Sequence, residues 1–181
     1  RPSDMKSTQR FVGFVNYLAK FLPHLSTVCE PLRKLSCKHA LWTWQSEQEQ
    51  AYNKTKEMVT SAPVLQYYDI NKEATIQCDA SKSGVGALLM QEGYPIVYAS
   101  KALTQSERNY AQIEKECLSI VFACTKFDQY IYGRPSITVQ TDHKPLEIIF
   151  KKSLLAAPKR LQCMLLKLQK YNINVQYIRG R

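Results

Sequence analysis

Two short stretches of this chain nearly repeat each other, and each ends in an aspartate. Residues 75–79 read Thr75-Ile76-Gln77-Cys78-Asp79, and residues 138–142 read Thr138-Val139-Gln140-Thr141-Asp142. Each alternates β-branched and polar residues, the pattern of a strand with one buried face. If the two strands lie parallel and adjacent, both carboxylates emerge at the same sheet edge. The carboxyl end of parallel strands is where open α/β sheets place their chemistry. Two carboxylates at close range repel unless a cation stands between them. The pair therefore points to a divalent-metal site.

A third acid can join them. Ile113, Cys117, Ile120, Val121, Cys124 and Phe127 recur at helical spacing, and Glu116 lies on the same stripe. A glutamate facing a core is expensive to keep charged, and an isolated one keeps its head in water at the rim. This helix, however, connects the two aspartate-bearing strands, and a crossover helix packs on the sheet they share. Glu116 sits near its start, at the end toward which the strands point. His143 follows Asp142 directly, so strand alternation turns it to the opposite face and out of this group.

The elements that position these acids follow from periodicity. Phe11, Phe14, Val15, Leu18 and Leu22 predict a first helix, capped by Pro2-Ser3-Asp4 and ended by Pro23. A second helix is expected over Leu25–Leu35. A third begins at a Ser46-x-x-Glu49 capping box, carries Ala51, Thr55, Met58 and Val59 on one face, and stops at Ser61-Ala62-Pro63. The pattern then changes to strands, which puts a domain boundary near residues 66–72. Thr75–Asp79, Gly84–Met90 and Tyr94–Ala99 predict an antiparallel meander. Thr104-x-x-Glu107 caps a long helix to about Tyr130, closed by Gly133 and Pro135. Thr138–Asp142 is the fourth strand. Short and longer helices are expected at 146–150 and 157–170, and Ile173, Val175 and Tyr177 alternate as a fifth strand.

Composition narrows the partners. The 181 residues carry a net charge of +10, with 45% hydrophobic and 22% charged residues. That is a globular chain with a preference for polyanions, nucleic acid above all. The longest apolar run, around Cys117–Cys124, is far too short to span a bilayer, and no secretory signal is visible. Residues 151–181 contain Lys151, Lys152, Lys159, Arg160, Lys167, Lys170, Arg179 and Arg181 with no acid. Lys6, Arg10, Lys20, Arg33, Lys34 and Lys38 add charge to the N-terminal helices. Lys6, Arg10, Lys151, Lys152, Lys159, Arg160, Lys167 and Lys170 are therefore expected to track phosphates. The six cysteines form no C-x-x-C pair and read as buried, reduced thiols of an intracellular protein. Cys29, Cys37 and His39 fit no usual zinc-finger spacing.

The acids come with recognisable contexts. Gln77-Cys78-Asp79-Ala80-Ser81, Tyr98-Ala99-Ser100-Lys101-x-Leu103-Thr104, Asn109-Tyr110-x-x-x-Glu114-Lys115-Glu116-Cys117-Leu118-x-Ile120-Val121 and Thr141-Asp142-His143-Lys144-Pro145-Leu146 stand in order. Together they resemble the ribonuclease H region of Ty3/gypsy-type long-terminal-repeat retrotransposon reverse transcriptases. Upstream, Arg10-Phe11-x-Gly13-x-Val15-Asn16-Tyr17, Phe21-Leu22-Pro23, Trp44, Ala51-Tyr52 and Ser61-Ala62-Pro63-Val64-Leu65 resemble the thumb and the segment that joins it to ribonuclease H. The resemblance spans essentially the whole chain. It implies an α/β fold, with a ribonuclease H-like mixed five-stranded sheet and flanking helices (residues 67–181) preceded by a small helical thumb or connecting region (residues 1–66). It implies that Asp79, Glu116 and Asp142 are three of four catalytic carboxylates holding two Mg²⁺ ions, with Mn²⁺ as a substitute, for hydrolysis of the RNA strand of an RNA/DNA hybrid. The implied partners are the hybrid or another nucleic-acid duplex and the remaining polymerase subdomains of a Pol polyprotein. The implied setting is intracellular: cytoplasm, virus-like particle or nucleus.

Two departures qualify that expectation. The family's fourth carboxylate lies in a last helix, and Tyr177-Ile178-Arg179-Gly180-Arg181 resembles only its lead-in. The fragment alone is therefore expected to be a weak or inactive nuclease. No Tyr/Phe-x-Asp-Asp polymerase motif is present, so polymerisation is not expected. An alternative is a catalytically inactive nucleic-acid-binding or structural module derived from a retroelement. A transposase or integrase would need the order Asp-Asp-Glu, whereas the order here is Asp, Glu, Asp.

Overall fold

In the computed structural model, which describes residues 1–37, 40–61 and 65–179, five strands form one mixed sheet. They are β1 (Thr75–Ala80), β2 (Gly84–Gln91), β3 (Tyr94–Ala102), β4 (Ile137–Thr141) and β5 (Ile173–Tyr177), in the spatial order β3-β2-β1-β4-β5. The first three make the expected antiparallel meander. β4 is parallel to both β1 and β5. A crossover helix between β3 and β4 makes this arrangement possible, because a parallel neighbour cannot be reached through a tight turn.

That crossover is three helices instead of one: α5 (Gln105–Arg108), α6 (Gln112–Lys126) and α7 (Asp128–Ile131), where the helices of the N-terminal segment are counted α1 to α4 below. The Thr104 cap forms as expected. Thr104 N–H donates to Glu107 Oε2 and Glu107 N–H to Thr104 Oγ1. A second stop-and-start follows, where Ala111 N–H donates to Glu114 Oε2 at 2.9 Å. Glu114 thus restarts the helix, and α6 packs on β1 and β2. Ile120, Cys117 and Cys124 of α6 are fully buried with Ile76, Leu89 and Val139 of the sheet. After β4 come α8 (Lys144–Lys151) and α9 (Lys159–Leu168), and Leu161, Met164 and Leu168 of α9 close the same core.

The N-terminal segment is helical. α1 (Met5–Tyr17) starts at Asp4, whose Oδ1 accepts from Ser7 N–H at 2.6 Å. It ends earlier than its apolar spacing suggests. Leu18 N–H bonds the Val15 carbonyl, tightening the chain into a 3-10 turn (Ala19–Phe21) that swings Leu22 into the core. The helix expected over 25–35 is two, α2 (Leu25–Val28) and α3 (Glu30–Leu35), since Pro31 has no N–H with which to continue the ladder. In α4 (Ser46–Thr60) the cap lies one residue early, with Gln45 N–H donating to Gln48 Oε1. Glu49 instead accepts from the Trp44 indole at 2.5 Å.

Ala51 and Thr55 of α4 are buried, and Met58 and Val59 pack on the cluster of Val15, Leu22, Leu25 and Cys29. Of the expectations above, His39, Ala62-Pro63-Val64, Lys38 and Gly180-Arg181 lie outside the described residues. Four cysteines are buried as expected, but Cys37 and Cys163 are exposed on helix surfaces or ends, and all six are free thiols. Among the described residues no helix is long and apolar enough to cross a membrane.

The helical segment docks on β2 and β3. Ser26 N–H donates to Ser100 Oγ at 3.1 Å, and Arg108 pairs with Glu30 at 2.9 Å. Gly84 permits this approach, because a Cβ there would meet Ser26 Oγ at 2.9 Å and the Lys101 carbonyl at 3.1 Å. Phe127, 1% exposed, is the largest fully buried side chain, at the join of α6 and α7. Its replacement by alanine should cost about 3–5 kcal/mol of unfolding free energy, read from urea denaturation. A cost near zero would contradict the packing described.

Candidate metal centre

β1 and β4 pair as Thr75–Thr138, Ile76–Val139 and Gln77–Gln140, so the two repeated stretches meet position by position. The Gln77 side-chain amide donates to Gln140 Oε1 across the pair at 2.9 Å. Carrying the register two residues further brings Asp79 level with Asp142. Asp79 lies within β1, whereas Asp142 stands one residue beyond the end of β4, not in the strand as its alternation suggested. Glu116 projects from the second turn of α6. One oxygen of each of the three carboxylates lies within 4.8 Å of the others.

Their environments differ. Asp79 and Asp142 are exposed, but Glu116 is only 3% exposed. It is not the rim residue that an isolated glutamate on an apolar stripe would be. Burial pushes its carboxyl up to about 7; the hydrogen bond from Gln112 opposes this, and the charges of Asp142 and Asp79 add to it. Gln112, one helical turn earlier, donates to Glu116 Oε1 at 2.6 Å and also reaches the Ala80 carbonyl. Glu116 Oε2 is buried with no hydrogen-bond partner among the described residues. A buried acceptor without a donor, beside two further carboxylates, is a poor arrangement for a bare protein and a good one around a hard cation. The donor set, all carboxylate oxygens, suits Mg²⁺ or Mn²⁺ rather than a thiolate-seeking metal.

A cavity of about 310 Å³ opens beside the acids, lined by Asp79, Asp142, Gln77, Gln140, Tyr98 and His24 among others. His24 comes from the helical segment, its Nδ1 3.9 Å from Asp79 Oδ2. Nothing in the local sequence ties it to the acids, because the contact exists only once the helices dock. Gln112, by contrast, was readable from its spacing of four before Glu116 on one helix face. His143 does not join the group; its backbone N–H bonds Thr141 Oγ1 and its Nδ1 is buried.

The basic residues divide into two sets. Arg160 contacts both Glu114 oxygens at 2.9 Å and lies over the Tyr110 ring, Lys170 pairs with Asp128 at 2.7 Å, and Lys151 pairs with Glu147 at 2.6 Å. Lys6, Arg10, Lys152, Lys159 and Lys167 are exposed and form no ion pair among the described residues. The second set is the one whose charge is uncommitted.

Comparison with known proteins adds an independent line. The model of the RNase H-like domain found in reverse transcriptase matches residues 69–171. The retrovirus-related Pol polyprotein from transposon 412 of Drosophila melanogaster is 36% identical over 184 residues, covering 99% of this chain and 15% of its own length. The Pol polyprotein from transposon 297 of the same species is 32% identical, covering 99% and 17%. The transposon Tf2-3 polyprotein of Schizosaccharomyces pombe is 32% identical, covering 99% and 14%. The chain thus spans between 14% and 17% of the length of these relatives. Among solved structures, the foamy viral protease-reverse transcriptase dRH in complex with double-stranded DNA superposes with a TM-score of 0.80 at 23% identity, over 100% of this chain and 33% of that one. The foamy viral protease-reverse transcriptase in complex with RNA/DNA hybrid gives 0.77 at 23% identity, over 100% and 26%. These two share the fold, including the helical segment.

The electrostatics of Glu116 have a measurable consequence. Its folded value near 7 lies above the ordinary 4.5, so across that window the folded chain holds a proton the unfolded chain has released. Stability from this group therefore falls as pH rises through the window and stays lower above it. In chelator-treated protein, the melting temperature of wild type relative to Glu116→Gln should drop between about pH 5 and about pH 8. Mg²⁺ added at the higher pH should recover it in wild type only. A wild-type-to-variant difference that ignores pH would rule this account out.

Proposed function

The chain belongs to the RNase H-like domain family found in reverse transcriptases, with retrotransposon Pol polyproteins as relatives, and from that premise we propose that it hydrolyses the RNA strand of RNA/DNA hybrids. The observation that carries the reading is the convergence of Asp79, Glu116 and Asp142 from β1, α6 and the end of β4. These carboxylates would hold Mg²⁺, which when bound would supply Lewis-acid stabilisation and a more acidic water for attack on a phosphodiester.

The chain's own residues set the geometry. Gln77 and Gln140, bonded across β1 and β4, hold the two aspartates at one spacing. Gln112 secures one oxygen of Glu116, while the other is buried and has no hydrogen-bond partner among the described residues. Asp79 and Asp142, being exposed, face the strand that enters the cavity, while buried Glu116 anchors the site from the helix side. Preorganised carboxylates of this kind need no rearrangement when the substrate arrives.

Residues 1–66 act as the thumb or connecting region and residues 67–181 as the nuclease-type domain. The complexes of the foamy viral enzyme with RNA/DNA hybrid and with double-stranded DNA support a duplex as the bound species. Lys6 and Arg10 on the helical segment and Lys152, Lys159 and Lys167 beyond β4 meet its phosphates, and Lys151, Arg160 and Lys170 contribute less because acids already hold them. The remaining polymerase subdomains of the parent polyprotein are its partners, and the setting is intracellular.

The direct test is cleavage of a labelled hybrid with Mg²⁺ or Mn²⁺, by this chain and by a reverse transcriptase that contains it. Asp79→Asn should lower the rate about 100-fold or more in whichever form cleaves. Tight hybrid binding with no cleavage by either form would favour the inactive binding module instead. Binding should also depend steeply on salt. A fourfold rise in ionic strength should weaken hybrid affinity about 100-fold or more, and replacing Lys152, Lys159 and Lys167 together should flatten the log–log slope by about one unit per residue. An affinity indifferent to salt would remove the basic surface from the binding site.

A further inference from the structure

Among the described residues of the helical segment, Pro23 and His24 line the cavity beside the acids, and His24 comes closest to a carboxylate, 3.9 Å from Asp79 Oδ2. Leu22 and Leu25 are buried in the segment's own core, and Pro23 and His24 form the tip between them. His24 is left-handed, with φ 51 and ψ 22, one of two non-glycine residues with positive φ among the described residues. A residue of this size rarely keeps that conformation unless its surroundings demand it, and such residues concentrate at functional sites. Here the conformation lays the imidazole on the backbone of Gly86. A Cβ at Gly86 would stand 3.1 Å from His24 Nδ1 and 3.4 Å from Cε1, so the glycine leaves room for the ring. Gly86 is the register partner of Asp79, and the ring is thereby delivered beside the carboxylate.

Packing does not account for the imidazole, since its side chain is 60% exposed. Nor is it committed to Asp79: 3.9 Å is too long for a hydrogen bond, and among the described residues neither ring nitrogen makes one. It faces the cavity that Asp79, Asp142, Gln77 and Gln140 line. An N–H at that position is suited to a phosphate oxygen, an anionic acceptor that strengthens the bond.

We propose that His24 is a substrate-contacting residue of the nuclease site, donating a hydrogen bond to a phosphate oxygen of the strand held at Asp79, Glu116 and Asp142. The proposal rests on the hydrolytic reading above. It makes the helical segment a contributor to the site itself as well as a grip on the duplex, and Gly86 the position that admits it.

The test uses a reverse transcriptase containing this segment, acting on a hybrid with titrated Mg²⁺. Glycine accepts the left-handed backbone freely, so His24→Gly removes the imidazole without unsettling the turn, and its melting temperature should match wild type. Its kcat/KM should fall about 10-fold, with the Mg²⁺ concentration for half-maximal rate unchanged. His24→Asn tolerates the same backbone and restores a donor, so part of the rate should return. Gly86→Ala displaces the ring and should lower the rate in wild type, yet add nothing in the His24→Gly background. Wild-type cleavage that Asp79→Asn abolishes and His24→Gly leaves intact would overturn this proposal alone. A loss in His24→Gly that extra Mg²⁺ fully repairs would also overturn it, since the ring would then act through Asp79. No cleavage by wild type would overturn the hydrolytic reading and the proposal with it.

Discussion

Three carboxylates held within 4.8 Å of one another repel, and the fold must oppose that repulsion wherever the protein is without a cation. Much of the architecture around the acids is intelligible as the means of doing so. The parallel pair β1 and β4 fixes two of them through backbone hydrogen bonds, reinforced by the Gln77–Gln140 amide contact. The third stands on a helix whose next two turns are locked on the same face by fully buried Ile120 and Cys124, so Glu116 cannot swing out to water without dislodging the core. Burial then raises its affinity for a proton, one way for the bare site to lower its own charge. A divalent cation bound there would relieve the same repulsion and could give Oε2 a partner. Proton and metal would then compete for one carboxylate.

The helical segment is bound to this arrangement by contacts of a different kind. Its docking is polar, through Ser26, Ser100, Glu30 and Arg108, and it depends on two glycines of β2. Gly84 lets α2 approach the strand, and Gly86 lets the preceding turn reach the acids. β2 carries no acid of its own, yet it sets how close the helices come. The split among the basic residues follows a similar logic of proximity. Arg160 and Lys170 lie where α6 and α7 offer Glu114 and Asp128, and a cation held by a neighbouring acid is less available to a distant phosphate.

Most of the sheet was legible along the chain, because strand alternation and turn chemistry are local signals. All five strands appear where they were expected, four within a residue of their expected ends and β3 running three residues further to Ala102, and the paired repeats that suggested a shared edge do lie side by side. Helix boundaries were less legible. The crossover helix breaks at Asn109–Ala111 because Glu114 caps a second start, and the pair α2 and α3 breaks ahead of Pro31. Both signals were present in the sequence but were outweighed by the continuous apolar spacing around them.

The sequence by itself determined the strands, the identity of the three acids and the surplus of positive charge, since each is a property of residue type and spacing within one element. Only the tertiary structure decided that Glu116 is buried, not at the rim, that Asp142 lies beyond its strand, which lysines keep their charge uncommitted, and that His24 stands beside Asp79. Each of these depends on the distance between elements far apart in the chain. That distance is set by how side chains and glycines let the elements pack, which no spacing within one element records.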